Sequence, residues 1–333
     1  MTGRRGRAIL ADERGMALLI TIMIISLLVV VTLEFGRTMR QNYIAAANLK
    51  DGEQLGAVAR SGITLAVALL EKDGQETEID SLLEEWATVA DTDLAGLFDQ
   101  GSLQLRIKDL SGNLQINSLV KVGEVGTGAR EILNRLLMSG EFAVKDEKEA
   151  AEIIDSLVDW LDADDRESDD GAENSFYQSL SPAYSCRNGP VDFVEELLLV
   201  KGITPALLFG VEEKKGLSQF ITVHGDDDKI NINTAEPVLL QAINPQVSSE
   251  LAKDMDEFRR DKNNKELLTD VTWYRNVPSW PGDIVFDEKF VAMKSAFFSL
   301  EATGVLDNRK RTMVAVVRRA EQGKITELHR KAE

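Results

Sequence analysis

Hydrophobic positions along the chain follow three successive patterns. Residues 16–33 are uncharged and mostly apolar, with Thr21, Ser26 and Thr32 the only polar members. As a helix rising about 1.5 Å per residue they span about 27 Å, the thickness of a bilayer hydrocarbon core. Apolar residues then recur at three- and four-residue steps from Phe35 through Leu55, Val58, Ile63 and Ala66 to Leu70. No proline precedes Pro182. This predicts one helix from Met16 to about Lys72, with Gly36, Gly52, Gly56 and Gly62 as its weak points.

The second pattern alternates. Residues 102–108 place Leu103, Leu105 and Ile107 on one face, and residues 114–117 alternate again after Ser111-Gly112-Asn113. Together they predict a β-hairpin. Near the C-terminus, 297–303, 312–318 and 324–330 predict three more strands. Between these regions, residues 118–290 have mainly helical periodicity, clearest at Glu147–Leu161, 191–201 and 235–242. The expected fold class is α+β: a long N-terminal helix packed on an antiparallel sheet, with a large helical domain inserted over 118–290. Residues 34–117 would supply the helix and first strands of the sheet domain, and 291–333 its last strands.

Charge gives the apolar run an orientation. Arg4, Arg5, Arg7 and Arg14 precede it, against Asp12 and Glu13, so the leader stays cytoplasmic and everything beyond residue 33 is exported. The whole chain of 333 residues carries a net charge of −18, and the part after the leader is more acidic still. Such a surface excludes nucleic acid as a partner, because phosphate binding needs a basic footprint. Cys186 is the only cysteine, so no intrachain disulfide forms.

A secretory signal peptide has its cleavage site after the apolar run. Here the candidate site, Gly15–Met16, lies before it, and cutting there leaves the hydrophobic segment at the new N-terminus. This boundary resembles the class III leader (residues 1–15) of type IV pilins and type II secretion pseudopilins. In that family a membrane prepilin peptidase cuts after the glycine and methylates the new amine. Most members carry a glutamate five residues after the cut, thought to pair with a neighbouring subunit's amine inside the membrane. The fifth residue here is Ile20. A subunit without that carboxylate suits an end of the fibre rather than its repeat, and among type II pseudopilins the large K member is known for lacking it.

One acidic block points to metal chemistry. Residues 159–173 hold eight carboxylates in fifteen residues, directly after an amphipathic helix. Like charges at this density need solvent or a cation, and Ca2+ prefers six to eight oxygen ligands. The block is no EF-hand, since Glu167 stands where a loop begun at Asp162 requires glycine. Asp-Trp-Leu-Asp-Ala-Asp-Asp, from 159, with Gly-Ala-Glu following, closely resembles a stretch of pseudopilin K proteins, in which Ca2+-stabilised loops are known. The expected ligands are Asp159, Asp162, Asp164, Asp165 and Glu173; by composition alone a solvated acidic loop is the alternative.

Two other signals bear on function. Residues 230–243 resemble the opening of a helix-hairpin-helix unit, but Asn244-Pro245-Gln246 replaces the glycine-rich hairpin whose N–H groups face phosphates, and proline supplies no N–H. Helix pairs used as scaffold, with Thr234 capping the helix that follows it, are the expectation. His224, His329 and Cys186 have no recognisable catalytic partners, and no carboxylate pair stands out, so no enzyme is expected. Across essentially its whole length the chain resembles the minor pseudopilin K family of type II secretion systems. That resemblance implies a single-pass inner-membrane protein with a periplasmic head, joining minor pseudopilins I and J in a tip complex that initiates the pseudopilus. A signal-anchored periplasmic binding protein and a minor pilin of a type IV pilus are the alternatives.

Overall fold

A computed structural model of the protein describes residues 13–332 apart from 93, 99–100, 122–123, 126 and 226. Most of the leader, residues 1–12, lies outside the described residues. The chain forms two compact units, 1–55 and 56–333. In the first, every described residue is helical, part of a 64-residue helix, Glu13–Glu76.

The second unit holds the rest of that helix and a four-stranded antiparallel sheet. Its strands lie in the order Ser102–Asp109, Phe297–Leu306, Arg309–Arg319, Ile325–Ala332. The helix buries Val58, Ala59, Ile63, Ala66 and Leu70 as one stripe. It can sit close because its contact residues are small: a Cβ on Gly62 would lie 2.6 Å from Leu103 and 2.8 Å from Ala302. The sheet answers with Leu103, Leu105 and Ile107, Phe298, Leu300 and Ala302, and Met313, Ala315 and Val317, alternate residues as a pleated face requires. Trp86 closes this core edge-on against Phe298, ring centroids 5.3 Å apart.

A second core, from Leu114 to Val291 with Ile79 joining it, lies in the helical insertion. Its main helices are Thr127–Leu137, Glu147–Leu161, Pro237–Ile243 and Ser249–Arg260. The chain enters this core between the first two strands of the sheet, directly after Asp109 rather than after a second strand at 114–117.

Three local expectations are corrected. Ser102–Asp109 pairs with Phe297–Leu306, not with residues 114–117, and Leu114–Gln115 pairs in parallel with Ile221–Thr222. The cause is the turn at 110–113. There the Leu110 N–H donates to the Phe297 carbonyl at 2.9 Å, and Gly112 packs so tightly that a Cβ would lie 2.5 Å from the Thr234 hydroxyl. The turn therefore delivers the chain into the insertion instead of reversing it. The region 191–201 forms only a short 3-10 segment, Val194–Leu199. Thr234 caps no helix: its hydroxyl donates to Asp109 and to the Asn231 carbonyl, and Glu236 precedes the helix that begins at Pro237.

Candidate functional site

The expected processing boundary and the apolar run lie in the first unit. Gly15 and Met16 are both within the helix, and nothing lies within 4 Å of where a Gly15 Cβ would stand. The helix is long and apolar enough to cross a bilayer, and none of its most apolar window is buried by protein. Thr21 and Thr32 hide their hydroxyls by donating to the carbonyls of Ala17 and Leu28 at 2.8 and 2.7 Å, as a hydrocarbon setting demands. Ile20 is 53 % exposed, and exposed apolar side chains continue past the span through Phe35, Met39, Tyr43, Ile44 and Leu49. An apolar surface this extensive belongs in lipid or against other subunits.

The acidic block is built from the last turn of the Glu147–Leu161 helix. That helix starts cleanly because the Asp146 carboxylate accepts the Glu149 N–H at 2.9 Å. Its buried stripe of Ile153, Ile154, Leu157, Val158 and Leu161 fixes which way the last turn faces. Asp159 is fully buried there and accepts from the Ser168 N–H (3.1 Å), the Ser168 hydroxyl (2.6 Å) and the Ala172 N–H (2.8 Å). Gly171 makes the approach possible, since a Cβ would meet the Asp159 carboxylate at 1.9 Å. Asp159 thus folds the loop back over its own helix, with its oxygens committed to that task.

The other four expected ligands sit on the loop so folded. Asp162 and Asp164 each accept the N–H two residues on, from Asp164 (3.3 Å) and Arg166 (2.9 Å). The Asn188 amide donates to the Asp164 carbonyl (3.0 Å) and the Asp165 carboxylate (3.1 Å), tying these residues to the 186–190 segment. Glu173 is 3 % exposed; its Oε2 accepts the Asn174 N–H at 3.3 Å, and its Oε1 has no partner. The Asn188 Oδ1 is buried and equally unpartnered. Burial, followed by the charges of Asp159, Asp162 and Asp165, pushes Glu173 up to about 7. Burial, with Asp164, Asp159 and Asp165, also raises Asp162. The loop thus places unsatisfied buried oxygens near mutually repelling carboxylates, oxygen donors of the kind a hard cation prefers, but among the described residues no three of the expected carboxylates bring oxygens within 4.8 Å of one another. Asn188 is the member sequence reading missed, because it joins the loop from more than twenty residues away.

The other residues singled out by chemistry lie away from the acidic loop carboxylates or serve the backbone. The Cys186 thiol donates to the Asp159 carbonyl at 3.6 Å, and burial pushes it up to about 11, far from a thiolate nucleophile. His224 and His329 lie beside each other, ring centroids 5.8 Å apart. In the helix-hairpin-helix echo, basic side chains serve carbonyls: buried Arg259 donates to those of Ile232 and Ala235, and Arg135 to those of Ala242 and Ile243.

Also absent from the sequence reading is a buried polar junction between helix, sheet and insertion. Arg319 donates to Asp80, to Asp73 (2.9 Å) and to the Ser295 carbonyl (3.0 Å). Asp80 accepts the Ser295 N–H (2.7 Å), and Asp109 accepts the hydroxyls of Ser295 (2.6 Å) and Thr234 (2.5 Å). The signal was present: Asp109 and Arg319 fall on the core-facing register of their strands, where a charge must find a buried partner.

Comparison with known proteins agrees with this architecture. The family model described as "Type II secretion system (T2SS), protein K" matches residues 112–213. Type II secretion system protein K of Pseudomonas aeruginosa is 27% identical over 327 residues, covering 94% of this chain and 91% of that protein. The Aeromonas hydrophila protein of the same name is 25% identical over 335 residues, covering 96% of each. A chain in the crystal structure of the GspK-GspI-GspJ complex from the enterotoxigenic Escherichia coli type 2 secretion system shares the fold, with a TM-score of 0.64 at 17% identity over 86% of this chain and 99% of that one. With a matched protein K region and similarity that extends over nearly all its length, the chain is similar to type II secretion system protein K in sequence and fold.

Proposed function

We propose that this chain is a minor pseudopilin at the tip of the periplasmic pseudopilus, where it joins minor pseudopilins I and J and initiates assembly. The observation that carries the reading is one helix joining two jobs. It is uncharged, mostly apolar and exposed over residues 16–33, and it packs on an antiparallel sheet from Val58 to Leu70. The helical insertion in that sheet is what distinguishes this subunit from a simple pilin. The solved relative of like fold comes from a complex of K, I and J proteins, which supports the same partners here.

In this reading the prepilin peptidase hydrolyses the Gly15–Met16 bond and methylates the new Met16 amine. The helix then remains in the inner membrane with the globular unit in the periplasm. Ile20 offers no carboxylate to a neighbour's amine, so the subunit cannot supply the negative half of a repeating intramembrane pair, and a terminal place follows. Its role is structural, with no catalytic step. Mass spectrometry of the N-terminal peptide from native membranes is expected to find methylated Met16 as the first residue. An intact leader, in cells with an active peptidase, would remove the pilin reading and favour a signal-anchored binding protein.

Within this reading Ca2+ is held by Asp162, Asp164, Asp165 and Glu173, with the Asn188 oxygen beside them and Asp159 setting the loop. The ion would supply positive charge where burial and mutual repulsion disfavour the ionised carboxylates. An ion bound only to the folded state at a hundred times its Kd adds about 2.7 kcal/mol. Millimolar Ca2+ is therefore expected to raise the Tm by several degrees more than equal Mg2+. Equal effects of the two ions would remove Ca2+ from the acidic loop.

A further inference from the structure

We propose a separate divalent-cation site where the long helix ends against the sheet, with Asp73 and Glu84 as its ligands beside Asp80, the third member of the carboxylate cluster, which Arg319 already holds. Each residue offers a carboxylate oxygen, and these oxygens lie within 4.8 Å of one another. Two ligands on opposite sides of a Ca2+ at 2.3–2.6 Å stand roughly 5 Å apart, so oxygens this close together fit within one coordination shell.

Hydrogen bonding shows which oxygens are unused. Asp80 is fully buried and taken up by Arg319 and the Ser295 N–H. Asp73 meets Arg319 through Oδ2 at 2.9 Å, while its Oδ1 receives a long contact of 3.5 Å from the Thr77 hydroxyl. Glu84, 4 % exposed, gives Oε2 to the Ser81 N–H and the Trp86 indole N–H, both at 2.9 Å. Its Oε1 is buried and has no partner. Folded proteins rarely leave a buried carboxylate oxygen unmatched, and a coordinated cation matches one without needing a donor hydrogen.

Charge and access agree. Three carboxylates face one guanidinium, so two negative charges need a counterion or protons. Asp73 and Glu84 line a cleft of about 210 Å³, and an adjoining cleft of about 370 Å³ shares Glu76, Thr77, Glu84 and Lys265 with it. Together the two clefts are lined by six carboxylates and two lysines, a field that concentrates cations. None of these residues belongs to the acidic loop. A bound ion would pin the last turn of the long helix, through Asp73, to the segment carrying Glu84.

Trp86, hydrogen-bonded to Glu84, provides a local antenna for Tb3+, a luminescent Ca2+ mimic. In the full chain in detergent, Tb3+ alone excited through tryptophan is expected to give a Ca2+-displaceable emission. A component of it should be lost in both Trp86→Phe and Glu84→Gln and kept in the acidic-loop variant Asp165→Asn. Calorimetry with Ca2+ should then count the wild-type number of ions in Trp86→Phe and one fewer in Glu84→Gln. Wild-type protein with no such emission overturns the site, whatever the variants do. So does emission that survives both substitutions, or a Glu84→Gln stoichiometry equal to wild type. Loss confined to Asp165→Asn would assign the emission to the acidic loop and also overturn this site.

Discussion

Arg319→Met is expected to destabilise the globular unit by about 3–5 kcal/mol, the usual cost of removing one partner from a buried ion pair. For a unit of this size that lowers Tm by on the order of 10 °C. The size follows from what Arg319 leaves behind. Asp80 has no exposure and loses its only charged contact among the described residues, and Asp73, nearly buried, loses its own. The guanidinium also stacks over Phe298, 4.9 Å from the ring centroid, so the cost includes lost packing. Arg319→Lys keeps the charge but cannot reach both carboxylates and the Ser295 carbonyl from one planar group, so it should fall between the two. Adding Asp80→Asn to Arg319→Met should recover part of the loss, because the penalty is an uncompensated charge and the two changes couple. Thermal unfolding of the three variants checks this, and an Arg319→Met protein melting within a degree or two of wild type would sink the idea.

The same junction sets a pH dependence. Burial pushes Asp73 and Asp109 up to about 6 and Glu84 up to about 7, above their unfolded values near 4. A raised carboxyl pKa means the folded state holds more protons. The stability these groups contribute is present in full below about pH 4 and is lost as pH rises through 6 to 7. Arg319→Met exposes its carboxylates to less compensation, so its deficit against wild type should be larger at pH 8 than at pH 5.

Periodicity made the large features of this protein legible and left its junctions obscure. A helix of 64 residues and strands with Leu103, Leu105 and Ile107 on one face are local patterns, each written in consecutive residues. The pairing of Ser102–Asp109 with Phe297–Leu306 is not, because nothing within 102–117 states that the partner strand lies beyond a whole second core. A Ser-Gly-Asn turn reads as a hairpin until Gly112 is seen against Thr234, a contact more than a hundred residues distant. The 191–201 segment carries helical periodicity in Val194 to Leu199 but is too short and too engaged with neighbours to propagate beyond a 3-10 turn. For the acidic block, composition located the loop, and only the fold separates the residue that shapes it, Asp159, from those left with oxygens to offer. Asp80, Asp109 and Arg319 were visible individually as charges in apolar surroundings, but their mutual choice of partner is tertiary.

Asp159→Ala is expected to cost about 2–4 kcal/mol, because it strands the Ser168 and Ala172 N–H groups in a buried site and opens a gap beneath Gly171. Each unsatisfied buried donor costs about 1–3 kcal/mol, and relaxation of the loop into water recovers some of it. That relaxation is the informative part. The Ala172 amide, protected through its 2.8 Å bond to Asp159, should exchange with solvent at a rate near that of an unfolded loop, while amides in the sheet strands Phe297–Leu306 and Arg309–Arg319 keep their protection. If Asp162, Asp164, Asp165 and Glu173 hold Ca2+ only when Asp159 folds the loop, the Ca2+-dependent rise in Tm should shrink in the same variant. Gly171→Val approaches the loop from the other side, driving a side chain into the space the Asp159 carboxylate fills at 1.9 Å, and should produce the same exchange pattern. Hydrogen exchange resolved to single residues distinguishes this account from a general loss of stability. Unchanged Ala172 protection in Asp159→Ala would mean that the loop is shaped by its other contacts, those of Asn188 and Lys201 chief among them.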